Sequence, residues 1–352
     1  MTKQMQAAVM RKPGVIEVTS VPCPEPKAGE VLLKVEACAL CGTDQRVLSG
    51  EKAVDVSIVG HEITGRVEAV GAGVTGWRAG QRCVVQTVIG CGRCPMCRVH
   101  RENLCENTFK AIGYQFDGGF AEYMIMPKVG VDQGCLIPIP DTLPADQGTL
   151  IEPLSCCVNG MAYLPMEQLD SALIFGGGII GVLNGLVAHA RGCKRVAIAD
   201  VSEERLGLLK RLGLPFAAYV NSRTTRIEDW VRDWTGGRGV DAVVVAASVK
   251  ALVTQGIRLL ARAGHLSIFA GLPKSDPVEP TDLNVIHYRE LNLHGANSSA
   301  IDAYRTALDF VVSKRIDAGR LVTHRFPLSA FHEAVKTQAD PSTGALKVVI
   351  VP

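Results

Sequence analysis

The stretch SALIFGGGIIGVLNGLVAHARG, residues 171–192, constrains the fold of this chain more than any other. SALIF fits a buried strand and IIGVLNGLVAHA a helix, and between them Gly176, Gly178 and Gly181 fall in the spacing G-x-G-x-x-G. The first glycine permits a tight turn, the second lets a pyrophosphate approach the backbone, and the third lets helix and strand pack closely. Phosphates then meet the free N–H groups and positive dipole end at the start of the helix, where Ile180 lies in the first turn. A glycine triplet alone is often only a turn. Asp200 gives this one direction, because it ends the next strand, VAIAD. A carboxylate at that distance bonds both ribose hydroxyls and repels the 2′-phosphate of NADP. NAD is therefore the expected cofactor, with Gly176, Gly178, Ile180, Gly181 and Asp200 as its contacts. Arg205, one turn into the following helix, either lies along the adenosine or is a solvated helix arginine.

The same alternation continues. KRVAIAD, DAVVVAA and HLSIFAG read as strands, EERLGLLKRLG and KALVTQGIRLLARAG as helices. Strands alternating with helices predict βαβ units and a doubly wound parallel sheet. Residues 1–150 have another rhythm: AAVM, GEVLLKVEAC, GRVEAVGAGV, GQRCVVQTVI and GFAEYMIMP are short runs broken by Gly and Pro. Such runs predict an antiparallel or barrel-like β domain. Beyond about Val285, RELNLHGANS reads as a strand, IDAYRTALDFVVSK as a helix and ALKVVIVP as a last strand, a tail expected to return to the first domain. The length of 352 residues suits two such domains.

Charge and composition exclude several classes. The 37 basic and 35 acidic residues are well mixed, with a net charge of +2 and no basic block, so the electrostatic footprint of a nucleic-acid binder is missing. The first residues carry no apolar segment of signal-peptide length, and no apolar run is long enough to span a bilayer. The expectation is a cytoplasmic protein that acts on no membrane. Its twelve cysteines are then reduced thiols or metal ligands, not a disulfide framework.

Two groups of residues carry metal chemistry. Cys91, Cys94, Cys97 and Cys105 crowd one polar loop, CGRCPMCRVHRENLC, and four thiolates give zinc a closed tetrahedral shell. Taken alone, this loop also fits a zinc-ribbon nucleic-acid-binding protein. That reading leaves unexplained the glycine loop, Asp200 and the second group: Cys41 in CGTD, His61 and Glu62 in GHE, and Glu152 in IEPLSCC. A thiol, an imidazole and carboxylates suit a catalytic zinc that keeps one position open. Asp44 is placed to accept the other imidazole N–H of His61. The remaining cysteines read as small buried residues, with Cys156 and Cys157 near enough to Glu152 to line a pocket.

At these residues the chain resembles the zinc-containing medium-chain dehydrogenase/reductase family, which includes alcohol, sorbitol and threonine dehydrogenases. The run GHEITGRVEAVGAGV, residues 60–74, is similar to that family's zinc signature, and DGGFAEY at 117–123 is a further likeness. The resemblance implies a GroES-like β-rich catalytic domain from residues 1–153 and 286–352 around a Rossmann domain at 154–285. It implies two zincs per subunit: an active one on Cys41, His61 and either Glu62 or Glu152, and a structural one on the four clustered cysteines. It also implies that Thr43 carries the proton of the substrate hydroxyl and that subunits assemble as dimers or tetramers. The implied reaction is hydride transfer from a secondary alcohol, of the polyol class, to NAD, giving a ketone.

The chain departs from these relatives at three places. Arg46 stands where many carry a proton-relaying His, and arginine accepts no proton. It is a candidate to pair with cofactor phosphate or an anionic substrate. Val47 replaces an aromatic residue, and Ser298 takes the place of an arginine after the HG strand. A threonine-type or sugar-phosphate dehydrogenase therefore stands as the alternative on the same scaffold.

Overall fold

Seven strands drawn from both ends of the chain make one sheet in the computed structural model, which describes residues 3–12, 14–107, 110–273 and 275–352. This sheet belongs to a unit formed by Met1–Ser155 and Ser298–Pro352, and a second unit comprises Cys156–Asn297. The sheet order in the first unit is Val322–Pro327, Lys347–Val351, Val31–Ala39, Glu62–Val70, Arg82–Val85 and Leu136–Pro138, with Tyr123–Met126 also pairing with Val31–Ala39. The β-branched and apolar content of VLLKVEACA suits its central place: Leu33, Val35 and Cys38 enter a core with Ile63, Val67, Phe120, Val348 and Ile350. A two-stranded hairpin, Gln4–Lys12 with Val15–Pro22, accompanies the sheet.

Register decides where the chemistry-bearing residues emerge. Ala39, the last residue of its strand, pairs with Glu62, the first of the next, and also with Val349 on its other side. Leu40–Cys41 and His61–Glu62 therefore leave the sheet at one end, although some twenty residues apart in sequence. Only glycine fits at position 60: its φ is +96°, and a Cβ would lie 2.9 Å from Cys38 Sγ and from the Phe120 ring.

The second unit is a six-stranded, all-parallel sheet in the order Ala218–Asn221, Arg195–Asp200, Ser171–Phe175, Val240–Val245, Leu260–Ile268, Asn292–Gly295. Numbered along the chain this is 3-2-1-4-5-6, the order of a Rossmann sheet, and the glycine loop leaves strand 1 where that order reverses. Leu173, Phe175, Ala197, Val243 and Leu266 form its core. The Glu203–Arg211 helix is capped by Ser202, whose hydroxyl accepts the Arg205 N–H at 3.1 Å, and it buries Leu206 and Leu209.

The chain re-enters the first unit later than the sequence suggests, at Ser298 and not 286, and leaves it at Ser155 and not 153. The cause is the sixth strand. Asn292–Gly295 pairs with Leu260–Ile268 and so belongs to the nucleotide-type sheet, preceded by the helix Leu283–Arg289. Being an edge strand it is mostly exposed, so it lacks the continuous apolar run that marks the inner strands. No helix among the described residues is long and apolar enough to cross a membrane.

Candidate functional site

Cys41 stands at the N-cap of the short helix Gly42–Leu48, and Asp44 in that helix performs two tasks. Its Oδ2 accepts the Cys41 N–H at 2.8 Å, and its Oδ1 lies 3.3 Å from His61 Nδ1. The carboxylate thus fixes the backbone of one donor and the ring of the other. The His61 carbonyl is held in turn by the buried Thr87 hydroxyl at 2.9 Å, and the Thr87 N–H donates to Tyr304 at 3.0 Å. Sulfur, imidazole nitrogen and carboxylate oxygen of Cys41, His61 and Glu62 lie within 4.8 Å of one another. Glu152 falls outside that group, though near enough for its charge to act on Glu62.

The donor set fits a zinc ion. His61 Nδ1 and both Glu62 oxygens are buried without a hydrogen bond of good geometry, although Asp44 and Lys347 adjoin them. Burial alone would pull the imidazole pKa down. Electrostatic interaction with Tyr114 and Asp44, together with Asp44 and Cys41 as acceptors for the ring N–H groups, outweighs it and pushes His61 well above its ordinary range. Burial raises Glu62 to about 7, against the pull of Lys347 and with the help of Glu152.

The second cluster is self-contained. Cys91, Cys94, Cys97 and Cys105 also bring their sulfurs within 4.8 Å of one another. The N–H groups of Cys91, Cys94 and Cys97 point at the sulfurs of Cys105, Cys91 and Cys94, at 3.3, 3.4 and 3.5 Å. The Arg93 N–H and the Asn107 amide bring Cys91 down to about 6, in the direction of the thiolate a metal needs. Gly90 makes room here: a Cβ would sit 2.6 Å from Cys97 Sγ.

In the other unit the glycine loop is backed by its acid. Asp200 Oδ2 accepts the Gly177 N–H at 2.6 Å, and Oδ1 accepts the Ser202 N–H at 2.9 Å. Gly176 has φ +111°, and a Cβ on Gly181 would stand 1.8 Å from the Gly176 carbonyl oxygen, so the turn and the close packing both require glycine. Nothing lies within 4 Å of where a Cβ of Gly178 would be, which leaves open backbone for a phosphate. Ile180 is in the first turn of the Ile179–Ala190 helix, and the Arg205 side chain adjoins Gly177.

Comparison with known proteins agrees with both units. The alcohol dehydrogenase GroES-like domain family matches residues 27–141, and the zinc-binding dehydrogenase family matches residues 180–313. The L-threonine 3-dehydrogenase of Thermococcus kodakarensis is 30% identical over 100% of this chain and 99% of its own. The chain belongs to the zinc-containing medium-chain dehydrogenase family. Sorbitol dehydrogenase of Bacillus subtilis is a further relative of this dehydrogenase, 29% identical over 99% of this chain and 98% of its own. Among solved structures, a protein from Sinorhizobium meliloti 1021 described as a putative zinc-binding dehydrogenase bound to NADP is 32% identical, with a TM-score of 0.90 and 100% of both chains covered.

The structure also places Arg46, Cys157 and Ser298 of this dehydrogenase. The Arg46 side chain is 55% exposed and is tied to Glu51 by a 2.8 Å ion pair, so its charge is already met by a neighbour. Cys157 is buried with its sulfur 3.7 Å from the Ile180 carbonyl, in the nucleotide-type unit. Ser298 opens the returning segment with φ +50°. Sequence reasoning also missed two residues at the metal centre. The Tyr114 ring packs on His61 with centroids 5.4 Å apart, and Lys52 Nζ lies 4.2 Å from the Tyr114 ring centre. The second is Lys347, buried against Glu62, and its signal was available: a lone charge inside the apolar run ALKVVIVP.

Proposed function

We propose that this dehydrogenase oxidises a secondary alcohol of the polyol class to a ketone with NAD. One zinc is held by Cys41, His61 and a carboxylate, and a second by Cys91, Cys94, Cys97 and Cys105. The observation that carries this reading is the convergence of three unlike donors, Cys41, His61 and Glu62, within 4.8 Å. Such a set suits a catalytic zinc, whereas four thiolates make a closed structural one. When bound, zinc acts as a Lewis acid on the substrate hydroxyl, and the nicotinamide ring takes the hydride.

The chain's own residues supply position and proton handling. Asp44 fixes the tautomer and orientation of His61. Thr43 Oγ1, 3.7 Å from Cys41 Sγ, is placed to accept the proton of the substrate hydroxyl and release its own. Arg46 takes no part in that transfer, since it cannot accept a proton. Asp200, at the glycine loop, favours a free 2′-hydroxyl over a 2′-phosphate and so supports NAD over NADP.

A 3-hydroxy amino acid is the second substrate class, favoured by the likeness to L-threonine 3-dehydrogenase along the whole chain. A sugar phosphate is the further class; the exposed Arg46, paired with Glu51 at 2.8 Å, is the cation that would meet its phosphate. The open outer edge of the Asn292–Gly295 strand supports a homo-oligomer, a dimer or tetramer. The test is formation of reduced cofactor from polyols, 3-hydroxy amino acids and sugar phosphates, with NAD and NADP in parallel, together with zinc content per chain. Two zincs and turnover of a polyol with NAD are expected. A two-zinc protein that oxidises no secondary alcohol would sink the proposal.

A further inference from the structure

Past the helix Gly42–Leu48 the chain turns back at Gly50, where φ is +82°, and the Lys52 N–H bonds the Arg46 carbonyl at 3.0 Å. Three residues on, the Asp55 N–H bonds the carbonyl of Tyr114 at 2.9 Å. Residues 50–55 are thereby laid across Tyr114, and the Lys52 ammonium comes to rest 4.2 Å from the centre of the Tyr114 ring. The acid next to it in sequence, Glu51, is taken by Arg46, whose Nε and Nη2 reach one Glu51 oxygen at 2.9 and 2.8 Å. Arg46, Glu51 and Lys52 together leave this edge with a positive charge in excess. Tyr114 is fixed from the other side as well. Gly113 has φ +79° and lies so close to Gly60 that a Cβ on it would stand 3.0 Å from the Gly60 carbonyl oxygen. Gly60 precedes His61, and the rings of His61 and Tyr114 lie with centroids 5.4 Å apart.

His61 is buried, Tyr114 half-buried and Lys52 exposed, so the phenol ring stands between the metal donors and a surface cation. Burial pushes the Tyr114 hydroxyl above its ordinary range, and the charges of His61, Asp44, Cys41 and Glu152 all act on it. Its hydroxyl end thus lies in the field of the donor group. A ring face draws an ammonium electrostatically and occupies one side of a group that carries three N–H donors. We propose that Lys52, braced on Tyr114, is a specificity-determining residue that binds an anionic group at the far end of a polyol whose secondary hydroxyl lies at the Cys41–His61 centre. This rests on the polyol reading and narrows it to polyols that end in a phosphate or a carboxylate. A 3-hydroxy amino acid fits the arrangement poorly, because its carboxylate carbon is two bonds from the carbinol carbon and cannot reach past an aromatic ring.

The test compares free hexitols (glucitol, mannitol and galactitol) with their terminal phosphates and the aldonic acids of the same configuration, using NAD and the zinc-loaded full-length protein. Wild type is expected to favour one anionic form over the free hexitol about 10-fold or more in kcat/KM, through KM. Which form gains tells phosphate from carboxylate. Lys52→Met should cut that preference roughly 10-fold, the size of a hydrogen bond to a charged group. Lys52→Arg keeps the charge and also lies well over a ring, so it should retain most of the preference. Tyr114→Leu, with Lys52 still in place, should lower it too, because the ammonium loses its seat. Equal losses for the free hexitol and its anionic forms in Lys52→Met would make the lysine a structural clip and overturn the proposal. So would a wild type that oxidises a free hexitol with no gain from either anion, a result that leaves the polyol reading standing. If no hexitol is oxidised in any form, the polyol reading falls and this inference with it.

Discussion

The two donor clusters sit in one folding unit and could hardly be built more differently. Cys91, Cys94, Cys97 and Cys105 come from one short loop, offer a single kind of donor, and are supported by N–H groups from the same loop. Cys41, His61 and Glu62 come from two segments that meet only because Ala39 pairs with Glu62. Their supports lie farther off still, at Thr87, Tyr304 and Lys347. A closed shell needs nothing from the rest of the fold beyond a place to sit. The Cys41 group is braced instead by buried polar and charged groups on separate segments, each fixed by packing the donors do not control.

The contrast breaks most clearly at the donors themselves. Cys41→Ser should abolish alcohol oxidation while leaving the far-ultraviolet spectrum and melting temperature near those of wild type; residual turnover at a tenth of wild type would mean that the metal is held elsewhere. Cys91→Ser should do the reverse, lowering the melting temperature by roughly 10 °C or more as structural zinc is lost. Calorimetry beside single-turnover rates on the surviving folded fraction tells the two apart. Asp44→Asn keeps the shape but weakens the grip on His61. Metal affinity or turnover should fall about 10- to 100-fold, as for other partners of metal-bound imidazoles, and metal titration against a chelator reads it. Asp200→Ala, in the other unit, should weaken NAD binding about 10-fold through the lost charged hydrogen bonds to ribose and leave zinc content untouched. Arg46→Ala is expected to change least. An exposed ion pair contributes under about 1 kcal/mol, so a large rise in KM for any substrate would return Arg46 to the site.

What could be read from the sequence follows the same division. The four-cysteine loop and the glycine triplet are local patterns, in which spacing alone fixes the geometry. The structure brings the cysteine sulfurs together, and it sets Gly176, Gly178 and Gly181 between strand and helix. The alternation of strands and helices gave the parallel sheet for a similar reason. It failed where pairing overrode local period: Leu260–Gly264 continue a helical pattern, yet Leu260 pairs with Val240 and the residues run as strand, with Ala263 at φ +57°. RELNLHGANS was legible as a strand, but its exposed edge, without an apolar run, gave no sign that it pairs with Leu260–Ile268. Cys41, His61 and Glu62 could be named from residue type and resemblance, but their convergence depends on strand register, which no local window contains. Tyr114 was invisible for the same cause, and the lone charge of Lys347 in an apolar run gave no sign of its partner, a neighbour far away in sequence.

The return of the last strand to the first sheet also imposes an order on assembly. During synthesis the four-cysteine loop possesses all its sulfurs once residue 105 has emerged. The Cys41 centre lacks its buried cation until Lys347 has been added, roughly ten seconds or more later at ordinary translation rates. The buried counter-charge of Glu62 is in this sense a late arrival, made long after the two segments it joins.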